Sequence, residues 1–236
     1  MPSDEEERVL DYGSFQEHEK NAPLLLVEGV DDCHVLRNIL RIKQEQDTSF
    51  HNSFRMAYCK GRAAAWDILR LELFKETPRS LLGIVIDADQ VQASNDIQTL
   101  RGKLQEHPSF DIPTNWPHGE GLILHGRTRI GNPRRIGLWR MPDNINEGNL
   151  EVLLNRAIPM ETRNFLNETL NTAKTHGYAT FKDKDRSKSI LRTHMAWNTP
   201  TASKYGEAIS ANLLPTDELL GHFQQFLSWT QELFSA

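Results

Sequence analysis

The sequence predicts an α/β protein: a parallel sheet flanked by helices, with a helical C-terminal extension. Three observations carry this reading. Short apolar runs alternate with amphipathic stretches of helical length over the first half of the chain, the pattern of strand–helix–strand units. The run LLGIVIDAD (81–89) opens with five apolar residues in six positions, as a strand buried on both faces requires. After residue 144 the strand signals stop and helical periodicity takes over.

Taken in order, residues 1–20 are polar and acidic and form an N-terminal arm. PLLLVEG (23–29) is the first buried strand. In DDCHVLRNILRIK (31–43), Cys33, Val35, Leu36, Ile39, Leu40 and Ile42 form an apolar stripe at helical spacing, with Asp31 or Asp32 as the N-terminal cap. SFRMAYCKG (53–61) is a second strand and AAAWDILRLELFK (63–75) a second amphipathic helix. LLGIVIDAD is the third strand, followed by a helix over 95–106. GLILHG and RIGLWRMP are two more strands, joined by a turn around Gly131, Asn132 and Pro133. The candidate helices after them are NLEVLLNRA, METRNFLNETLNTAKTHG, DRSKSILRTHMAWN and TDELLGHFQQFLSWTQELF. The core therefore spans 21–156, with 157–236 packed on it as the extension.

Composition sets the boundaries of function. With 236 residues, 38% of them hydrophobic and 25% charged, the chain is long enough to bury one substantial core. A net charge of −5 excludes a basic nucleic-acid coat, so any contact with nucleic acid needs a local patch or bound cations. Cys33 and Cys59 are too few for a disulfide framework or a zinc knuckle, and read as buried free thiols. No apolar stretch reaches the roughly 18–20 residues of a membrane span, and the acidic start MPSDEEERV is no signal peptide. The expected location is the cytoplasm.

The chemistry concentrates in carboxylates. Glu28 ends the first buried run in LLLVEGVDD, and Asp87 and Asp89 end the third. Parallel strands present their C-terminal ends on one edge of the sheet, where open α/β sheets build sites. If the two strands are neighbours, Glu28, Asp87 and Asp89 meet, and Asp32 lies one helical turn from Glu28. Carboxylates gathered this way cannot all ionise without a cation. Mg²⁺ or Mn²⁺, hard ions with a preference for oxygen, would neutralise them, and two such ions about 3.5–4 Å apart suit phosphodiester chemistry. A lone IDAD is more often a helix cap than a metal site; its pairing with VEG-x-DD makes the metal reading the stronger. A phosphoacceptor receiver domain would carry its acidic pair after the first strand. A haloacid-dehalogenase-type phosphatase would match Val91 in DADQV but has no use for an upstream glutamate strand.

On these residues the sequence resembles the Toprim domain of primases, type IA and II topoisomerases, small ribonucleases and OLD-type nucleases. VEGVDD and IDAD match the family's glutamate after one core strand and D-x-D after another. The E-G-x-x-D form, Glu28 with Asp32, is most similar to the OLD-type nucleases. IGLWRMPDNINEGNLEVLL (136–154) and KSILRTHMAWNTP (188–200) look like standalone Toprim-like proteins related to that group. The resemblance implies a Rossmannoid sheet and a divalent-metal-dependent nuclease using Mg²⁺ or Mn²⁺ as two ions. Glu28, Asp32, Asp87 and Asp89 would be metal ligands, joined by Glu147 or Glu151 after the fourth strand. Lys188, in the lysine-rich KDKDRSK, would be catalytic beside Glu28, Asp87 and Asp89. His34 and His125 are further candidates for assisting the leaving group. No tyrosine stands in a topoisomerase context, which favours cleavage without a covalent intermediate.

A substrate polyanion needs cations. HGRTRIGNPRRIGLWR (125–140) carries Arg127, Arg129, Arg134, Arg135 and Arg140 without an acidic residue, and Trp139 offers a stacking surface. These arginines are the expected nucleic-acid contacts, against the alternative of a solvated hairpin face. The implied partners are DNA or tRNA, an ATPase as in anti-phage defence systems, and a further copy of the chain as a homo-oligomer, with no membrane. The chain has no G-x-x-x-x-G-K-[ST], so ATP hydrolysis would come from the partner. Alternatives are a regulatory, non-catalytic nucleic-acid-binding Toprim protein and, further off, a phosphatase.

Overall fold

The computed structural model describes residues 10–14, 22–50, 53–75, 79–90, 92–104, 110–115, 119–128 and 130–235. Its strands are β1 (Leu10–Asp11), β2 (Leu24–Val27), β3 (Arg55–Tyr58), β4 (Leu81–Asp87), β5 (Leu122–Arg127) and β6 (Pro133–Met141). The helices are α1 (Val30–Gln46), α2 (Arg62–Phe74), α3 (Ala93–Leu104), α4 (Leu150–Arg156), α5 (Met160–Thr175), α6 (Arg186–Trp197), α7 (Tyr205–Ser210) and α8 (Thr216–Phe234). Among the described residues the strands form one sheet in the order β1-β3-β2-β4-β6-β5. Every neighbouring pair is parallel except β5–β6, a hairpin turned through Gly131 at φ +88°.

The two-residue alternation of the strands sorts the core. Leu24, Leu26, Ile84, Ile86, Ile136 and Leu138 face α2 and α3, and Leu25, Val27, Val85, Trp139 and Met141 face α1 and the C-terminal helices. Both faces are covered, which is why these strands read as near-continuous apolar runs.

The C-terminal helices complete the second face. Gly83 and Gly137 sit opposite each other in register, and α8 lies directly over them. A Cβ on Gly137 would come within 2.4 Å of Leu233 and 2.7 Å of Trp229, so the missing side chains let the helix descend onto the sheet. Residues 157–235 and the sheet thus share one hydrophobic cluster. Among the described residues no helix is long and apolar enough to cross a membrane.

Two elements differ from the sequence reading. The N-terminal arm is not wholly separate from the fold: Leu10–Asp11 pair with Ala57–Tyr58 as an edge strand, and the Asp11 carboxylate pairs with Lys60. The short helix α7, in the SKYGEA stretch, had no predicted counterpart.

Candidate functional site

The parallel register of β2 and β4 (Val27 opposite Val85) brings Glu28 and Asp87 out at the same edge of the sheet. The Asp87 backbone N–H donates to Glu28 Oε2 at 3.2 Å. The two strand ends are joined by one of the carboxylates that the sequence singles out.

Gly29 leads from Glu28 into α1. A Cβ there would lie 2.5 Å from Asp32 Oδ2, and the Gly29 N–H donates to the Asp32 carboxylate. The E-G-x-x-D spacing therefore has a steric cause: glycine leaves room for Asp32 to fold back over the start of its own helix, beside Glu28.

Asp89 holds a left-handed backbone, φ +47°, and is fixed there by a reciprocal pair of hydrogen bonds with Gly148 (N···O 2.6 and 2.8 Å). The same connection feeds α4. Asp87 Oδ1 accepts from the Leu150 N–H at 3.2 Å, and the Asn149 side chain caps Val152 N–H at 3.3 Å. Glu151 follows in the first turn of α4 and is buried at 5% exposure. Of the two candidates after the fourth strand, Glu151 joins the cluster, its charge acting on both Asp32 and Asp87. Glu147 is exposed to solvent in the preceding turn.

Arg62, the first residue of α2, touches both strand ends. Its backbone N–H donates to the Glu28 carboxylate, and its guanidinium donates to the Asp87 carbonyl and to Asp96. Asp96, 1% exposed on α3, also accepts from Arg140 Nε at 2.7 Å. An arginine–aspartate–arginine group, buried at Asp96 and Arg140 and half-buried at Arg62, thus lies directly behind the acidic edge.

The C-terminal helices close the other side. Lys188 Nζ on α6 stands 3.2 Å from Glu151 Oε1, and the Tyr205 hydroxyl on α7 donates to the same oxygen at 3.3 Å. The Arg192 charge on α6 lies near that hydroxyl and opposes the rise in its pKa that burial and Glu151 cause. His34 stands two residues past Asp32, half-buried against Gly206 of α7, and burial followed by the charge of Lys204 lowers its pKa.

The electrostatics follow from this crowding. Burial, then the charges of Asp32, Glu28, Glu151 and Asp89, push Asp87 up to about 9. Burial, then Glu151 and Glu28, push Asp32 to about 7. Burial holds Glu28 above the usual carboxylate range, against the donors of Asp87 and Arg62. Burial pulls the Lys188 ammonium down, but Glu151 outweighs it and holds it above its ordinary value. Burial and mutual repulsion thus both favour protonation of Asp32 and Asp87 over leaving the carboxylates charged side by side. Among the described residues no group of three or more His, Cys, Asp or Glu side chains stands arranged to hold a metal ion as it is. In kind, however, the donors suit one: the oxygens are those a hard divalent cation takes, and such an ion would replace the protons and draw the repelling carboxylates inward.

The arginine hairpin corrects the sequence reading. β6 runs parallel to β4 with Arg135 opposite Leu81 and Met141 opposite Asp87. The hairpin turn, with Arg127, Arg134 and Arg135, is therefore at the opposite end of the sheet from Asp87, about 20 Å away at roughly 3.3 Å per residue. Arg134 is buried at 2% exposure and donates to the Glu72 carbonyl. Arg135 bonds the Glu232 carbonyl, and Arg127 bonds Gly131 in its own turn. Arg140 is at the right end but is 2% exposed and paired with Asp96, and Trp139 is 2% exposed in the core, so neither faces a substrate. Arg129 lies outside the described residues. His125, opposite Arg135, is at the far end as well.

Three residues at the site escaped the sequence reading. Arg62 had a weak signal, a cation directly after Gly61 at a helix start. Tyr205 and Arg192 had none, since their role depends on how α6 and α7 dock.

The family described as "Protein of unknown function (DUF3226)" matches residues 22–235, a span that takes in both the acidic edge and the C-terminal helices. No curated protein matches, and neither does any solved structure.

Proposed function

This chain belongs to the DUF3226 family, and we propose that it is a divalent-metal-dependent nuclease hydrolysing phosphodiester bonds of DNA or RNA. The observation that carries this reading is the meeting of Glu28 and Asp87 across neighbouring strand ends, 3.2 Å apart through the Asp87 N–H, with Asp32, Asp89 and Glu151 around them. Crowded, largely desolvated carboxylates that outnumber their cationic partners are costly unless they hold a cation.

When bound, Mg²⁺ or Mn²⁺ supplies acidification of water and charge neutralisation on the phosphate oxygens. Glu28, Asp32, Asp87 and Asp89 would provide oxygen ligands, and the buried Glu151 a further one. Lys188 stands beside Glu151 where it can stabilise charge on the phosphate or protonate the leaving oxygen. Arg62 is a positioning residue, tying the Asp87 carbonyl to Asp96 while its N–H orients Glu28. The likeness to OLD-type nucleases supports a cytoplasmic effector of anti-phage defence that works with an ATPase and, as a monomer or homo-oligomer, cuts DNA or tRNA.

A second reading, a regulatory Toprim protein that binds nucleic acid without cutting it, is favoured by the spread of the carboxylates: among the described residues no three stand arranged to hold a metal ion. Incubation with plasmid, single-stranded DNA and tRNA in Mg²⁺ or Mn²⁺ separates the two. Digestion abolished in Glu28→Gln and Asp87→Asn supports the nuclease, and binding without digestion supports the second reading. Release of phosphate from small esters alone would point to a phosphatase.

A further inference from the structure

We propose that Lys188 and Arg192, one helical turn apart on α6, form the phosphate grip of this site and hold a nucleic-acid backbone against the carboxylates. The inference rests on the nuclease reading for its substrate class, but its geometry is independent of cleavage.

A polyanion brought to an acidic edge needs cations at that edge. The hairpin arginines are at the other end of the sheet. Arg140 is buried on Asp96, and Arg62 is committed to the Asp87 carbonyl and to Asp96. α6 supplies what the hairpin does not. Lys188 is 43% exposed with its ammonium 3.2 Å from Glu151 Oε1, so it stands at the boundary between cluster and solvent. Arg192, four residues on and exposed, shares that face of the helix.

The tie between them is a relay of contacts. Arg192 lies close enough to act on the Tyr205 hydroxyl, Tyr205 donates to Glu151 Oε1, and Lys188 pairs with the same oxygen. Among the described residues no carboxylate pairs with Arg192. Its exposed guanidinium thereby lies beside a neutral hydroxyl and keeps its N–H donors for a ligand, in the fork geometry that suits phosphate. An arginine present only to neutralise the cluster would sit on a carboxylate. Tyr205 fixes both the ligand Glu151 and the grip, so substrate and acidic site are held in one register.

The test uses the full chain in Ca²⁺ with fluorescein-labelled 20-nucleotide single-stranded DNA, duplex DNA and single-stranded RNA, read by anisotropy over a range of NaCl. Arg192→Gln and Lys188→Gln should each weaken binding roughly tenfold and reduce the salt slope by about 1. Arg192→Lys should keep the slope with weaker binding, and Arg135→Gln at the far end should change neither. Unchanged circular dichroism and melting in the α6 variants establish that they fold. Wild-type affinity and slope in both glutamine variants would overturn the grip, as would a wild-type protein that binds none of the three probes. Cleavage in Mg²⁺ is scored separately. Wild type that cuts while the glutamine variants keep its slope loses the grip and retains the nuclease. Wild type that binds without cutting, with reduced slopes in the variants, retains the grip and loses the nuclease.

Discussion

Asp87 donates its backbone N–H to Glu28 across 3.2 Å, while its own carboxylate caps the first N–H of α4. One residue thus joins two strands and a helix, and it does so at the point where like charges are densest. The crowding of like charges there costs stability, a cost that the proposed cation would offset.

Glu28→Gln and Asp87→Asn each replace a carboxyl that burial and its acidic neighbours hold above its ordinary pKa. Both should leave the fold intact and raise the melting temperature of the metal-free protein at alkaline pH, where the wild-type carboxylates ionise and repel one another. Both should lower cleavage or Mn²⁺ affinity by on the order of 100-fold or more. Paired thermal scans and plasmid digestion measure the two effects, and a lowered melting temperature in both variants would contradict the origin assigned to the strain.

The pH dependence has a definite sign. Asp87 at about 9 and Asp32 at about 7 both lie above the roughly 4 of an unfolded Asp. Between these values the folded chain binds more protons than the unfolded one, so stability falls as pH rises. The metal-free protein should be more stable at pH 5 than at pH 9, with the loss spread through the two folded-state values. Asp87→Asn should flatten the upper part of that decline. Saturating Mg²⁺ should oppose it, since cation binding releases the same protons. Thermal melts in EDTA and in Mg²⁺ across this range check each point.

Asp89 carries its role on a strained backbone. Its left-handed φ is a conformation that glycine adopts freely, so Asp89→Gly should stabilise the protein by up to about 1 kcal/mol and, on the proposed nuclease function, should abolish cleavage by removing a ligand. Gly148→Ala should do the reverse to the fold: its φ is +132°, and a Cβ would lie 2.9 Å from Val152 Cγ2. Loss of stability in Asp89→Gly, measured by urea titration, would argue that the carboxylate has a structural role.

Asp96 gathers Arg62 and Arg140 behind the site. Asp96→Ala removes the carboxylate from between two arginines and should cost about 3 kcal/mol. It should also weaken Mn²⁺ binding, although Asp96 is not itself among the ligands, because Arg62 loses its second anchor. Titration calorimetry on the folded variant at low temperature reads this directly, and unchanged affinity would limit Asp96 to stability.

Much of this was legible in the sequence because it depends on local pattern. The buried strands show as apolar runs, and the helices between them imply that they pair in parallel, though not in which order. The carboxylates stand out because they end runs that otherwise exclude charge. What stayed hidden depends on direction and docking. Arg127, Arg134 and Arg135 look like a grip in a linear reading, but the parallel register of β6 carries them to the wrong end of the sheet. Arg140 and Trp139 look exposed by composition and are buried by α3 and α8. Tyr205 and Arg192 reach the site only because α6 and α7 fold back over it. Nothing local distinguishes Glu151 from Glu147 until the turn through Gly148 is formed.

The most direct measurement is diffraction from crystals soaked in Mn²⁺, collected at the manganese absorption edge. Anomalous peaks should lie between Glu28 and Asp87, with carboxylate oxygens at about 2.1 Å. Their absence, with Glu28 and Asp87 still joined through the Asp87 N–H and no ion near either, would contradict a metal-dependent site.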